Sequence, residues 1–213
     1  MSNKLQGKDL INIGIFAAIY FVVVFIVSML GVIPIFIPLL DVLVPLIGGI
    51  PMMLYFSKIK KFGMLTISGL LEGILMLLTG MGYWCILTGL VFGLIADLML
   101  KRSGYKSAKM EILAHGVFSI WVFGAFIPII MTRDSYYEKL IPTFGQEYAD
   151  TLMGYMPDWI LPAMAVAAFV AGIIGGLIGR KIFKKHFERA GNDSQVKNKT
   201  RDFLLIPGQN WRF

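Results

Sequence analysis

Charge is scarce in this chain of 213 residues: Asp, Glu, Lys and Arg make up 15% of it, hydrophobic residues 57%, and mean hydropathy is +0.73. Soluble domains run about 45–50% apolar and about 25% charged, so the composition is that of a membrane protein. Cys85 is the only cysteine, which excludes an intrachain disulfide and a cysteine-based zinc site. The phosphate loop G-x-x-x-x-G-K-[ST], the zinc motif H-E-x-x-H and the nucleophile elbow G-x-S-x-G are all absent. Gly80-Met-Gly82 is too short to cradle a phosphate. Lacking a Walker motif, the chain does not by itself couple ATP hydrolysis to transport in the usual way. No metal and no bound cofactor is expected.

Positive charge is nearly missing from alternate connections. Apolar sequence divides into six spans, near residues 9–30, 36–57, 62–79, 83–100, 110–131 and 159–180. A bilayer core takes roughly 20 helical residues to cross, so six spans use most of the chain and leave no room for a soluble catalytic or nucleotide-binding domain. Of twenty Lys and Arg, only Arg133 and Lys139 fall outside one alternating set of connections and the two termini. Cationic segments resist translocation. The expected fold is therefore all-α, with six transmembrane helices and both termini cytoplasmic. The net charge of +7 follows from this bias, and nucleic acid is not an expected partner. The first span is long, with little basic charge before it and no evident small-residue cleavage site, so it is expected to remain as a helix.

Along the chain, Pro34 and Pro38 predict a folded outer loop or re-entrant segment, and Pro45, Gly48, Gly49 and Pro51 predict a kinked or irregular second helix. Residues 132–158, with two basic and five acidic residues, form the one sizeable outer loop. The sixth span carries small residues at every fourth position, Ala163, Ala167, Ala171, Gly175 and Gly179, a stripe that permits close approach of a neighbouring helix. Residues 1–187 are expected to be the membrane domain and 188–213 a polar, mobile cytoplasmic tail. Its end, Phe203 to Phe213, reads equally as an interfacial anchor, a docking peptide or a cloning remnant.

Few residues offer chemistry inside the bilayer. Glu72 lies about ten residues from the inner end of its span, roughly 15 Å deep. It reads as a ligand-binding or proton-carrying carboxylate, or as a structural protonated acid bonding between helices. Asp41, near the outer end of span two, suits a substrate contact or a helix cap. Tyr83, Trp84, Trp121 and Trp159 fall in outer halves, where aromatics also serve as interfacial anchors. Converging with Glu72, the rings would form a cage for a small planar or amphipathic ligand. Asp97 has Lys101 four residues on and predicts a helix-end ion pair. His115 shares a face with Glu111 and reads as a hydrogen-bonded packing residue rather than a ligand.

Small residues in span one, the Pro-rich first outer loop and the run Phe62…Glu72-Gly73…Gly82-Tyr-Trp84, with Trp159 at span six, resemble the Trep_Strep group among the substrate-binding S-components of energy-coupling-factor (ECF) transporters. The resemblance covers about residues 5–187. It implies a subunit that captures a vitamin or other micronutrient from outside, then associates with a membrane coupling subunit and two ATPase subunits that use the ATP. The family docks through Ala-x-x-x-Ala on the first helix; the matching positions here are Gly14 and Ala18, with Ala17 beside them. By place in the topology, the implied pocket covers Asp41, Glu72, Trp84, Trp121 and Trp159, with Tyr83 adjoining. The chain itself is expected not to be an enzyme. The rival readings are an intramembrane enzyme using Glu72 and His115, and a self-sufficient small-molecule transporter.

Overall fold

A computed structural model describes the backbone of residues 5–204 and the side chains of residues 5–185. All regular structure among the described residues is helical. Helix α1 spans Gly7–Ser28 and runs into a 3-10 turn, Met29–Val32; α2 is Phe36–Lys58, α3 Met64–Leu78, α4 Trp84–Arg102 and α5 Ala108–Ser119. A 3-10 stretch, Ile120–Ala125, leads to α6, Ile127–Met131; α7 (Arg133–Phe144), α8 (Gln146–Tyr155) and α9 (Ile160–Leu204) follow. Four helical segments are long and apolar enough to cross a bilayer: Gly7–Val32, Phe36–Lys58, Trp84–Arg102 and Ile160–Lys185. Helix α3 is apolar but has 15 residues, roughly 22 Å against a hydrocarbon core of about 30 Å. The expected tail enters α9, whose backbone is helical to Leu204. Its side chains from residue 186, and everything from 205 to 213, lie outside the described residues.

Two features depart from the sequence expectation. The fifth span is not one helix. It tightens into a 3-10 stretch after Ser119 and restarts at Ile127, where Pro128 in the first turn excludes the carbonyl four residues back, that of Gly124, while Gly124 packs its backbone against α4, a Cβ there lying 2.3 Å from Thr88 Oγ1. Thr88 Oγ1 donates to the Trp121 carbonyl at 2.8 Å, satisfying an acceptor in the tightened stretch. The outer loop is helical: it folds into α7 and α8, turned on Gly145, whose φ of +88° favours glycine. The region of Pro34 and Pro38 is compact as well, since Pro38 sits in the first turn of α2, where a missing N–H costs nothing.

Glycine contacts bring the helices together. A Cβ on Gly49 of α2 would lie 2.1 Å from the Gly175 carbonyl of α9, and one on Gly179 2.2 Å from the Gly49 carbonyl. The lower half of the small-residue stripe thus meets α2, whereas Ala163 at its top is exposed. Helices α3 and α4 cross in the same manner at Gly69 and Gly89. On α1, Ile13, Ala17, Tyr20, Val24 and Val27 face the core, while Ile11, Ile15, Ile19, Val22 and Ile26 are exposed. That apolar outer face suits lipid.

One end of the bundle is basic and tightly bonded. Asp9, bonded to the Gln6 N–H at the start of α1, pairs with Lys61 at 2.6 Å, and Glu111 of α5 pairs with Arg180 of α9 at 3.0 Å. The expected Asp97–Lys101 pair does not form. Asp97 is fully buried and caps the start of α3, accepting from the Leu65 and Thr66 N–H groups at 3.2 and 2.8 Å and from Thr66 Oγ1 at 2.6 Å. Lys101 lies over the Phe62 ring instead, 4.8 Å from its centroid. A buried carboxylate gains more from three donors at a helix N-terminus than from a flexible, hydrated ammonium.

Candidate functional site

At the end opposite the basic one lies a cavity of about 400 Å³. Its walls are Val24 and Ser28 of α1, Ile37, Leu40 and Val44 of α2, and Met76 of α3. Trp121, Val122 and Phe126, from the broken fifth segment, contribute the floor and one side. Helices α7 and α8 form the roof through Tyr136, Leu140, Phe144, Tyr148 and Leu152. The wall is apolar and aromatic; no Asp, Glu, Lys or Arg lines it. A ligand there would be held by area and ring contact, with a few polar groups setting its orientation.

The roof is built as a unit. Arg133 donates from Nη1 to the Met156 carbonyl at 2.5 Å and from Nη2 to the Met153 carbonyl at 2.8 Å. One of the two basic residues at this end therefore caps the C-terminus of α8, where a cation is favoured. Tyr137 donates to Asp150 at 2.6 Å between α7 and α8. The Tyr148 hydroxyl donates to the Gly31 carbonyl, tying the roof to the turn after α1, and Phe144 stacks on Tyr148 with ring centroids 4.7 Å apart. Burial pushes the Tyr136 and Tyr148 phenols above their usual range, so both stay protonated at neutral pH.

The floor is Trp121. Its ring is fully buried, 6.3 Å from Tyr20 and 6.5 Å from Phe118. Its Nε1–H and the Tyr20 hydroxyl are neighbours that fall short of hydrogen-bond geometry, and neither has another partner among the described residues. Beyond this pair is a cavity of about 10 Å³, bordered by Tyr20, Tyr55, Ser68, Glu72 and Phe118, about enough for one water. Glu72 is 1% exposed, and among the described residues neither of its oxygens has a hydrogen-bond partner, nor do those of the fully buried Asp41. Tyr55 and Ser68, by contrast, form a bonded chain, Ser68 Oγ to Tyr55 Oη at 3.0 Å and Tyr55 Oη to the Met64 carbonyl at 2.8 Å.

The structure brings together some of the residues expected at a site and separates others. Trp121 lines the outer cavity. Asp41 is on α2 between the lining residues Leu40 and Val44, but it does not line the cavity itself. Glu72 borders the small inner cavity instead. Trp159 is 71% and Tyr83 57% exposed, and Trp84, half-buried, stacks on Tyr83 at 5.1 Å. Trp84, Trp159 and Glu72 therefore form no cage: Trp159 and Tyr83 occupy the exposed surface, as interfacial aromatics do. The His115 ring donates from Nε2 to the Pro45 carbonyl at 3.1 Å, the packing role expected of it, and no hydrogen bond joins it to Glu72. Among the described residues no His, Cys, Asp and Glu cluster could hold a metal ion. Of the expected docking residues, Gly14 and Ala18 lie on the open face of α1, and nothing approaches within 4 Å of a Cβ on Gly14; Ala17 is buried against the inner cavity.

The roof residues were missed by sequence reasoning. The signal was present: Tyr136, Leu140 and Phe144 recur every four residues, as do Tyr148 and Leu152, one face of a helix each.

The profile of the Trep_Strep family, described as a hypothetical bacterial integral membrane protein, matches residues 7–189. The chain belongs to this family. It is a multi-pass integral membrane protein. No curated protein and no solved structure matches it.

Proposed function

We propose that this Trep_Strep protein is the substrate-binding subunit of an ATP-driven ECF-type importer, with six membrane crossings and both termini cytoplasmic. In this reading the roofed cavity opens outward and captures a small micronutrient. The observation that carries it is a roofed, apolar cavity of about 400 Å³ at the end away from the basic residues, with Trp121 on its floor, whose indole N–H makes no hydrogen bond among the described residues. Orphaned buried donors are rare in native proteins and call for a reason; a ligand acceptor supplies one. With no charged side chain on the wall, the ligand is an uncharged, largely apolar ring system bearing an acceptor for Trp121. Asp41 and Glu72 stand behind that wall. The chain binds and carries without catalysis or a bound cofactor, and a membrane coupling subunit with two ATPase subunits drives release, docking on the Gly14–Ala18 face.

The test is purification from native membranes in mild detergent. Native mass spectrometry should find one small neutral molecule bound, together with a further membrane chain and two ATPases. Gly14→Leu with Ala18→Leu should lose the partner chains and keep the small molecule. A wild-type protein that binds neither, or a double variant that keeps all its partners, would count against the reading. Impermeant thiol reagents applied from outside should label Gly145→Cys and spare Lys106→Cys; the reverse pattern rejects the orientation.

A further inference from the structure

The basic end contains a second cleft, of about 510 Å³, between the end of α2, the connection 103–107, the start of α5 and α9. Among the described residues Lys60, Lys106, Arg180 and Lys184 line it, with one carboxylate, Glu111. Glu111 is matched by Arg180 at 3.0 Å, so Lys60 and Lys106 add positive charge beyond that pair. Ala108, the first residue of the 12-residue helix α5, also lines the cleft, adding the positive end of a helix dipole. Like charges held around one cleft repel each other, and a bound anion offsets that repulsion.

The rest of the lining says which anion. Met53 and Phe183 form an apolar wall. Leu54, three residues before the lining residue Ser57 on α2, and Leu177, three before Arg180 on α9, are exposed, carrying lipid-facing surface toward the cations. A free phosphate has no use for that wall, whereas a phospholipid sets its acyl chains along it and its phosphate among the cations. Basic pockets between membrane helices hold anionic headgroups in this way. We propose that this cleft binds the phosphate headgroup of an anionic phospholipid, with Lys60, Lys106 and Arg180 as the principal contacts. The assignment is independent of the outer cavity and of any transport role.

The full-length protein in mild detergent, exchanged with dioleoylphosphatidylglycerol or dioleoylphosphatidylcholine, tests it by native mass spectrometry. The wild type should retain phosphatidylglycerol in preference to phosphatidylcholine. Lys60→Gln with Lys106→Gln should weaken phosphatidylglycerol retention about thirty-fold, at about fivefold for each lysine near an anionic headgroup. Arg102→Gln with Lys109→Gln removes the same charge from the same end outside the cleft and should leave retention close to wild type. The two single lysine variants, each expected at about fivefold, serve as a second measure should the double variant unfold. Inorganic phosphate at matched ionic strength should not displace the lipid. Undiminished retention in the lysine variants, an equal loss in the Arg102/Lys109 control, or displacement by inorganic phosphate would each overturn the assignment, the last by giving the cleft to a free anion.

Discussion

Replacing Trp121 by Phe should move stability and binding in opposite directions. The ring is fully buried and packed against Tyr20 and Phe118, and its Nε1–H makes no hydrogen bond among the described residues. A buried donor left unsatisfied costs about 1–3 kcal/mol. Phenylalanine removes that donor and keeps a ring in the contact. The lost portion of the indole leaves a void next to an existing cavity, at a cost on the order of 1 kcal/mol. The ligand-free protein is then expected to be unchanged or more stable by up to about 2 kcal/mol. If Nε1 donates to the ligand, the variant forfeits one neutral hydrogen bond, about 0.5–1.5 kcal/mol or roughly two- to twelvefold in affinity. Thermal unfolding in detergent without ligand gives the first quantity; titration with the small molecule released from the wild-type protein gives the second. A variant that unfolds several degrees lower and binds as well as wild type would show that the indole serves packing alone, and the cavity would lose its polar anchor.

Tyr148→Phe should speed ligand release about fivefold, since the hydroxyl bond to Gly31 that ties the roof down is worth about 1 kcal/mol; a chase experiment reads the rate, and unchanged release would show that the roof is held otherwise. Gly49→Val should destabilise by about 1–3 kcal/mol or more, because the new carbons meet the α9 backbone, while Gly14→Val, on an open face, should be near neutral in the same unfolding assay. Glu72→Gln should leave ligand affinity nearly unchanged and not lower the unfolding temperature, because the carboxyl has no partner to lose and lies outside the outer cavity; a strong loss of binding would return Glu72 to the ligand contacts.

What could be read from the sequence was set by how local the physics is. The long apolar runs of α1, α2, α4 and α9 needed only their composition. The stripe around Gly175 needed only periodicity to announce a close helix contact. The break in the fifth span was harder, since Pro128 is near its end and the decisive contact, Gly124 against Thr88, is made with another helix. Trp159 and Trp121 look alike in sequence, each an aromatic in the outer half of a span, yet one is 71% exposed and the other fully buried. The difference comes from the turn that aims Trp121 inward and from α7 and α8 covering it. Asp97 illustrates the same limit: its helical neighbour Lys101 is visible in the sequence, whereas the α3 N-terminus that claims it is thirty residues back in the chain.

Polar groups are treated differently at the two ends, and the difference separates stability from function. At the basic end Asp9, Asp97 and Glu111 all have donors, and His115 bonds through one ring nitrogen; its other nitrogen and the Tyr105 hydroxyl are the exceptions. Toward the roofed end the polar atoms of Tyr20, Asp41, Glu72 and Trp121 are buried with no hydrogen bond among the described residues. A protein selected for stability alone would have replaced such groups with apolar ones of similar shape, often at no loss. Polar groups left open beside a cavity are met by water or by a ligand. The helices are thus locked together where the chain is basic, and the bonding left open lies around and beneath the cavity. A ligand that satisfies the Trp121 N–H would therefore stabilise the roofed end of the bundle. Ligand-dependent protection from amide exchange should accordingly concentrate in α7, α8 and residues 119–126, and a ligand that protected the basic end instead would contradict this division.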